Sequence, residues 1–159
     1  MSEPIRVLFV CLGNICRSPL AEIIVRHVAR QRQLDGRYLF ASAGTGDWHV
    51  GKGADPRSAS TASQHGLDLS PHRARQITGR GISEWDWFVA MDRDNRRNLL
   101  NMGAPASRVL MMRQFEAGEV TLDVPDPYYG GEGGFEQAYA MLTDNAEDLL
   151  DYLEEVRSS

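Results

Sequence analysis

The sequence predicts an α/β domain: an open parallel sheet carrying helices on both faces. Two observations lead there. Short β-branched and aromatic runs alternate with longer stretches of helical periodicity, the order expected of strand–helix–strand units. The first of those runs, "IRVLFV", is apolar throughout, as befits a strand buried on both sides. At 159 residues and 42% hydrophobic composition the chain reads as one domain, able to bury about two-thirds of its unfolded surface without metals or disulfides.

The elements follow in order. Residues 5–10 are the first strand. From Pro19, Leu20, Ile23, Ile24 and Val28 recur at helical spacing, and proline suits a first helical position because its missing N–H costs nothing there. "RYLFASAG" (37–44) is a second strand running into a glycine-rich turn. "PRSASTASQHG" (56–66) is a small, polar helix closed by Gly66. "WDWFVAM" (85–91) is a third strand, followed by a helix with Asp92 as N-cap and Gly103 at its end. "RVLMM" (108–112) is a fourth strand. "VPDPYYGGEGG" (124–134) is an irregular loop, and residues 135–156 form a long amphipathic helix. There are no repeats, low-complexity tracts or linkers.

Composition removes several function classes. A net charge of −5 leaves no clustered basic excess to neutralise nucleic-acid phosphates. No apolar run approaches the ~20 residues of a membrane span, and the N-terminal run lacks a small-residue cleavage site. Two cysteines without an export signal imply a cytoplasmic protein whose thiols are kept for chemistry.

Both cysteines stand in one loop, "CLGNICRSP" (11–19), at the carboxyl end of the first strand, where ligands of parallel sheets bind. Gly13 and Asn14 are the residue types that most readily enter left-handed conformations, so the loop can curl with its N–H groups inward above a helix N-terminus, an anion site. Arg17 adds a planar, permanently charged fork for two phosphate oxygens. The same potential favours thiolate over thiol at Cys11. A thiolate nucleophile therefore lies at the floor of a cup shaped for phosphate. The loop lacks the G-x-x-x-x-G-K-[ST] pattern of a nucleotide phosphate loop. Its Cys-x4-Cys spacing, without nearby histidines, does not suit zinc, so no metal is expected.

Beyond this loop, the chain resembles the low-molecular-weight protein tyrosine phosphatases along its length. The matching stretches are "VLFVCLGNICRSPLAE" (7–22), "SAGTGDWHVG" (42–51), "HGLDLSPHRARQ" (65–76), "FVAMDRDN" (88–95) and "VPDPYYGG" (124–131). The resemblance implies a flavodoxin-like open sheet of four parallel strands, no cofactor, and hydrolysis of phosphotyrosine through a phosphocysteine intermediate. Cys11 would attack phosphorus while Arg17 and the loop N–H groups hold the equatorial oxygens. Asp126, set between two prolines that restrict its backbone, would protonate the leaving phenol and then activate water.

Other residues take their expected parts from the same resemblance. Ser18 either caps the helix or faces the Cys11 sulfur and assists its departure. Asn14, Ser42 and His72 would hold the loop in its curl. Leu12, Ile15, Trp48, Tyr128 and Tyr129 would wall a slot deep enough for a phenol. Cys16 is either loop packing or the partner of an oxidised Cys11 in a reversible disulfide. His27, His49 and His65 are read as solvated or helix-face residues, and Asp92 and Asn95 as helix capping. Expected partners are phosphotyrosine-containing proteins, a tyrosine kinase among them, met by a monomer with no nucleic acid or membrane. Two rivals remain. One is an arsenate reductase on the same scaffold, which would need further cysteines. The other is a non-enzymatic phosphotyrosine-binding or phosphocarrier module, of which the binder would need no general acid and the carrier would hold a long-lived phosphocysteine.

Overall fold

The computed structural model describes residues 3–116, 123–129 and 133–158. Strands β1 (Ile5–Cys11), β2 (Tyr38–Gly44), β3 (Trp87–Ala90) and β4 (Val109–Met111) alternate with helices α1 (Arg17–Gln31), α2 (Pro56–Gln64), α3 (Arg93–Asn101) and α4 (Gly133–Ser158). The sheet order is β2-β1-β3-β4, all parallel, with Val7 opposite both Phe40 and Trp87. The chain passes from β1 to β2 on one side and then crosses back from β2 to β3 on the other side of β1, so the strand order reverses beside the carboxyl end of β1. That reversal opens the crevice in which doubly wound sheets place their ligands.

Alternation along β1 divides the interior in two. Val7, Phe9 and Cys11 face a core that takes Leu20, Ile24 and Val28 from α1 and Leu142, Ala146, Leu149 and Leu150 from α4. Leu8 and Val10 face a second core with Leu99 of α3, Ile82 and Val109. Each buried aliphatic or aromatic side chain contributes roughly 1.5–3 kcal/mol, so β1 is pinned from both faces. Register follows, because a one-residue slip would exchange the two sets.

Caps end the helices where the chain must turn. Asp55 and Asp92 accept from Arg57 N and Asn95 N at the starts of α2 and α3. Past α1, Gln33 takes φ 59° and Leu34 N donates to Ala29 O at 2.7 Å, a closure usually given to glycine. Several boundaries differ from expectation: β1 takes in Cys11, and β2, β4 and α2 are each shorter by one or two residues. α1 begins at Arg17 rather than Pro19, β3 is shorter than 85–91, and α4 extends two residues beyond 135–156 at each end. The 3-10 turns at Gly79–Glu84 and Ala106–Arg108 have no periodicity to announce them.

Candidate active site

The loop after β1 is held by Asn14. Its φ of 58° confirms the left-handed turn, whereas Gly13 does not adopt a positive φ. Gly13 matters for space instead: a Cβ there would stand 2.9 Å from the His49 ring. Asn14 N donates to Cys11 Sγ at 3.3 Å, and Nδ2 donates to Ser18 Oγ and Ser42 Oγ at 2.9 Å each. Its Oδ1 accepts from Arg75 N at 2.9 Å, and its carbonyl lies 2.7 Å from His72 Nε2. A carbonyl only accepts, so Nε2 carries the hydrogen. Burial lowers the His72 pKa, against the opposing pull of that hydrogen bond. Gly44, at the end of β2, lets this loop lie close, since a Cβ would meet Leu12 O at 2.7 Å.

Ser18 Oγ is 3.0 Å from Cys11 Sγ. Because Asn14 already donates to that oxygen, and Ala43 O is a distant 3.5 Å, the hydroxyl hydrogen points best at sulfur. Ser18 makes no cap: the N-cap position of α1 is Cys16, without a side-chain capping bond. Cys11 and Cys16 are both free and buried. Burial, then the nearby Asp55, Cys11 and Asp126, push the Cys16 thiol well above its ordinary pKa. Cys16 therefore remains a thiol at neutral pH.

Arg17 is only 2% exposed. Its Nη1 donates to Asp92 Oδ2 at 2.7 Å and to Val124 O at 2.9 Å, and Nη2 lies 3.6 Å from Asp126 Oδ2. Burial works against its charge, but Cys11, Asp92 and Asp126 outweigh it and raise the guanidinium pKa. Asp92, read as a cap alone, thus does two things: Oδ1 caps α3 through Asn95 N, and Oδ2 aims Arg17. Val124 N donates to Met91 O at 2.7 Å just past β3, so the segment leading to Asp126 is anchored beside the arginine. Asp126 Oδ1 accepts from Tyr128 N at 3.0 Å, the start of the 3-10 turn Pro127–Tyr129.

These groups surround a cavity of about 330 Å³. Cys11, Gly13, Cys16, Arg17 and Asp126 are among its lining, and Leu12, Ile15, Trp48 and Tyr128 supply apolar surface. Trp48 is 64% exposed, a rim residue. The Tyr129 side chain lies outside the described residues. Ser42 and His72 touch Asn14 rather than the cavity, as support. His49, expected to be solvated, is a correction. It lines the cavity and its ring tilts against Tyr128 with centroids 6.2 Å apart. A histidine beside the exposed Trp48 carries no sequence signal of its own; only the fold over Gly13 brings it in. Among the described residues no group of His, Cys, Asp and Glu is arranged to hold a metal.

Comparison with known proteins agrees with this geometry. A low-molecular-weight protein-tyrosine phosphatase A of Mycobacterium tuberculosis is 43% identical over 157 residues, covering 98% of this chain and 95% of its own. The crystal structure of a protein tyrosine phosphatase from Entamoeba histolytica superposes with TM-score 0.89 at 37% identity, covering 96% of this chain and 99% of that one. A Drosophila arginine phosphatase superposes with TM-score 0.84 at 32% identity, over 92% and 96% of the two chains. Residues 6–159 match the family described as low molecular weight phosphotyrosine protein phosphatase, and to that family of hydrolases this chain belongs.

Proposed function

We propose that the chain hydrolyses phosphotyrosine in proteins, with Cys11 as nucleophile, Arg17 as phosphate fork and Asp126 as general acid and then base. The observation that carries this reading is one cavity lined by a buried cysteine, a buried arginine and a carboxylate 3.6 Å from that arginine. In the first step the Cys11 thiolate forms an S–P bond, the P–O bond to the phenol breaks, and Asp126 gives its proton to the departing oxygen. Arg17 and the loop N–H groups hold the charge on the equatorial oxygens. In the second step Asp126, now a carboxylate, takes a proton from water as the water attacks phosphorus. Cys11 leaves as thiolate, met by the Ser18 hydroxyl 3.0 Å away.

The substrate follows from the walls. Leu12, Trp48 and Tyr128 give an aromatic and aliphatic slot, suited to a flat phenol, and Asp126 is the one carboxylate among the lining residues. A phosphorylated guanidinium would bring a cationic group against those apolar walls, so phosphoarginine is the informative comparator. Partners are accordingly phosphotyrosine-bearing proteins, a tyrosine kinase among them. Two free thiols at the centre of the site suit a reducing, cytoplasmic setting, and no helix among the described residues is long and apolar enough to cross a membrane.

The test compares wild type with Cys11→Ser on phosphotyrosyl, phosphoseryl and phosphoarginyl peptides, in chelator, with release of phosphate as readout. Wild type should release phosphate from phosphotyrosine fastest. Cys11→Ser should release none, yet still bind phosphate through the loop and Arg17. A stable phosphoprotein without phosphate release would favour the carrier, and faster turnover of phosphoarginine would overturn the substrate.

A further inference from the structure

Arg57 has no place in the chemistry above, and its position is costly. It follows Pro56 in the first turn of α2, where a cation opposes the helix dipole. Yet its side chain is held more fully than any surface arginine needs. Asp55 accepts from Arg57 N at 2.8 Å, Nε at 3.0 Å and Nη2 at 2.9 Å. Burial would raise the Asp55 carboxyl, but the Arg57 hydrogen bonds outweigh that and bring it below its usual range. The guanidinium then reaches across to the acid-bearing loop. Nη1 donates to Tyr128 O at 3.3 Å, and Cζ lies 5.3 Å from the Tyr128 ring centroid and 4.7 Å from that of Phe135.

The other side of α2 is fastened to the nucleophile loop. Asp55 N donates to Ile15 O at 2.9 Å, and Ser58 Oγ donates to Cys16 O at 3.1 Å. Tyr128 N in turn donates to Asp126 Oδ1. A continuous strut thus runs from Ile15 and Cys16, through Asp55 and Arg57, to Tyr128 and Asp126. Residue 124 is tied to the sheet at Met91 and to Arg17; Arg57 holds the loop beyond the acid.

We propose that Arg57 is a positioning residue that sets Asp126 relative to Cys11 by gripping Tyr128. This rests on Asp126 being the general acid. A planar fork is required, because one face must stack on rings while the edges serve Asp55 and the Tyr128 carbonyl together. Arg57 does not line the cavity, so phosphate binding itself is independent of it.

The experiment measures burst-phase phosphorylation rates with phenyl phosphate, a poor leaving group, and p-nitrophenyl phosphate, a good one. The proteins are wild type, Arg57→Ala, Arg57→Lys, Asp126→Ala and the Arg57→Ala/Asp126→Ala double variant. Inhibition by inorganic phosphate reports that the nucleophile loop remains folded. Arg57→Ala should slow phenyl phosphate by about ten- to a hundredfold, the scale of a misplaced catalytic group. It should slow p-nitrophenyl phosphate far less and leave phosphate inhibition unchanged. Arg57→Lys keeps the charge beside Asp55 but loses the fork, and should show the same leaving-group bias in weaker form. In the Asp126→Ala background the Arg57 substitution should add nothing. An equal loss with both substrates, or an undiminished loss without Asp126, would overturn the proposal. Asp126→Ala alone is the separate arm. If it shows no leaving-group dependence, the acid assignment fails first and the role of Arg57 falls with it.

Discussion

Asn14 is where the loop's shape and its chemistry meet in a single residue. Its backbone stands in a conformation that most side chains avoid, and its amide makes three side-chain hydrogen bonds while wholly buried. Those bonds orient Ser18 toward sulfur and fix the backbone N–H that points at Cys11. Replacing Asn14 with alanine would leave Ser18 Oγ, Ser42 Oγ and Arg75 N short of a partner inside the protein. Each orphaned group costs about 1–3 kcal/mol. With three such groups, Asn14→Ala should therefore lower unfolding stability in urea by at least about 3 kcal/mol, and lower the burst rate with good and poor leaving groups alike. A stability change below about 1 kcal/mol would mean that relaxation or water repairs the network.

At the scale of elements, α4 is clamped to the sheet at the end opposite the site. Glu154 accepts from Tyr38 OH at 2.5 Å and from Arg37 Nη1 at 2.7 Å at the start of β2, with Arg157 Nε at 3.1 Å. The Arg157 hydrogen bond, opposed by burial and helped by the Tyr38 hydrogen bond, brings its carboxyl to about 2 from an ordinary 4.5. A carboxyl with its folded pKa depressed stabilises the fold above the unfolded value, so the contribution is complete above about pH 4.5 and is lost as pH falls toward 2. Solvent screening limits it to about 1 kcal/mol. Glu154→Gln should flatten the acid limb of stability between those pH values, measured by thermal melts, with little change at pH 7 in the burst rate. The strands and helices were legible because each repeats a pattern along the chain: β1 in its apolar run, α1 in its stripe, α3 between Asp92 and Gly103. The Cys11–Arg17 cup was legible because its parts are contiguous. Asp92 aiming Arg17, His49 lining the cavity and Arg57 gripping Tyr128 were not, since each is a contact between distant segments that periodicity and spacing do not encode.

Over the whole molecule, the site gathers residues 11–18, the end of β2, His72 and Arg75, Asp92 after β3, and the 124–128 segment. A phosphate ion bound by Arg17 and the loop would thus fasten parts of the chain that unfolding must separate. Any ligand of the folded state alone stabilises it by mass action, by about 2.7 kcal/mol at a hundred times its Kd. For a domain of this length each kcal/mol raises Tm by about 2–4 °C, so saturating phosphate should raise Tm by roughly 5–11 °C. Sodium chloride at matched ionic strength serves as a control for general salt effects. Arg17→Ala removes the fork and leaves Asp126 in the cavity lining, and Asp92 behind it, without their cation, which repels an anion. Its own Tm will be lower, so the readout is the increment on adding phosphate, which should vanish. An increment equal to that of wild type would place the stabilising anion somewhere other than the Cys11 loop, and the cup would lose its claim to be the phosphate site.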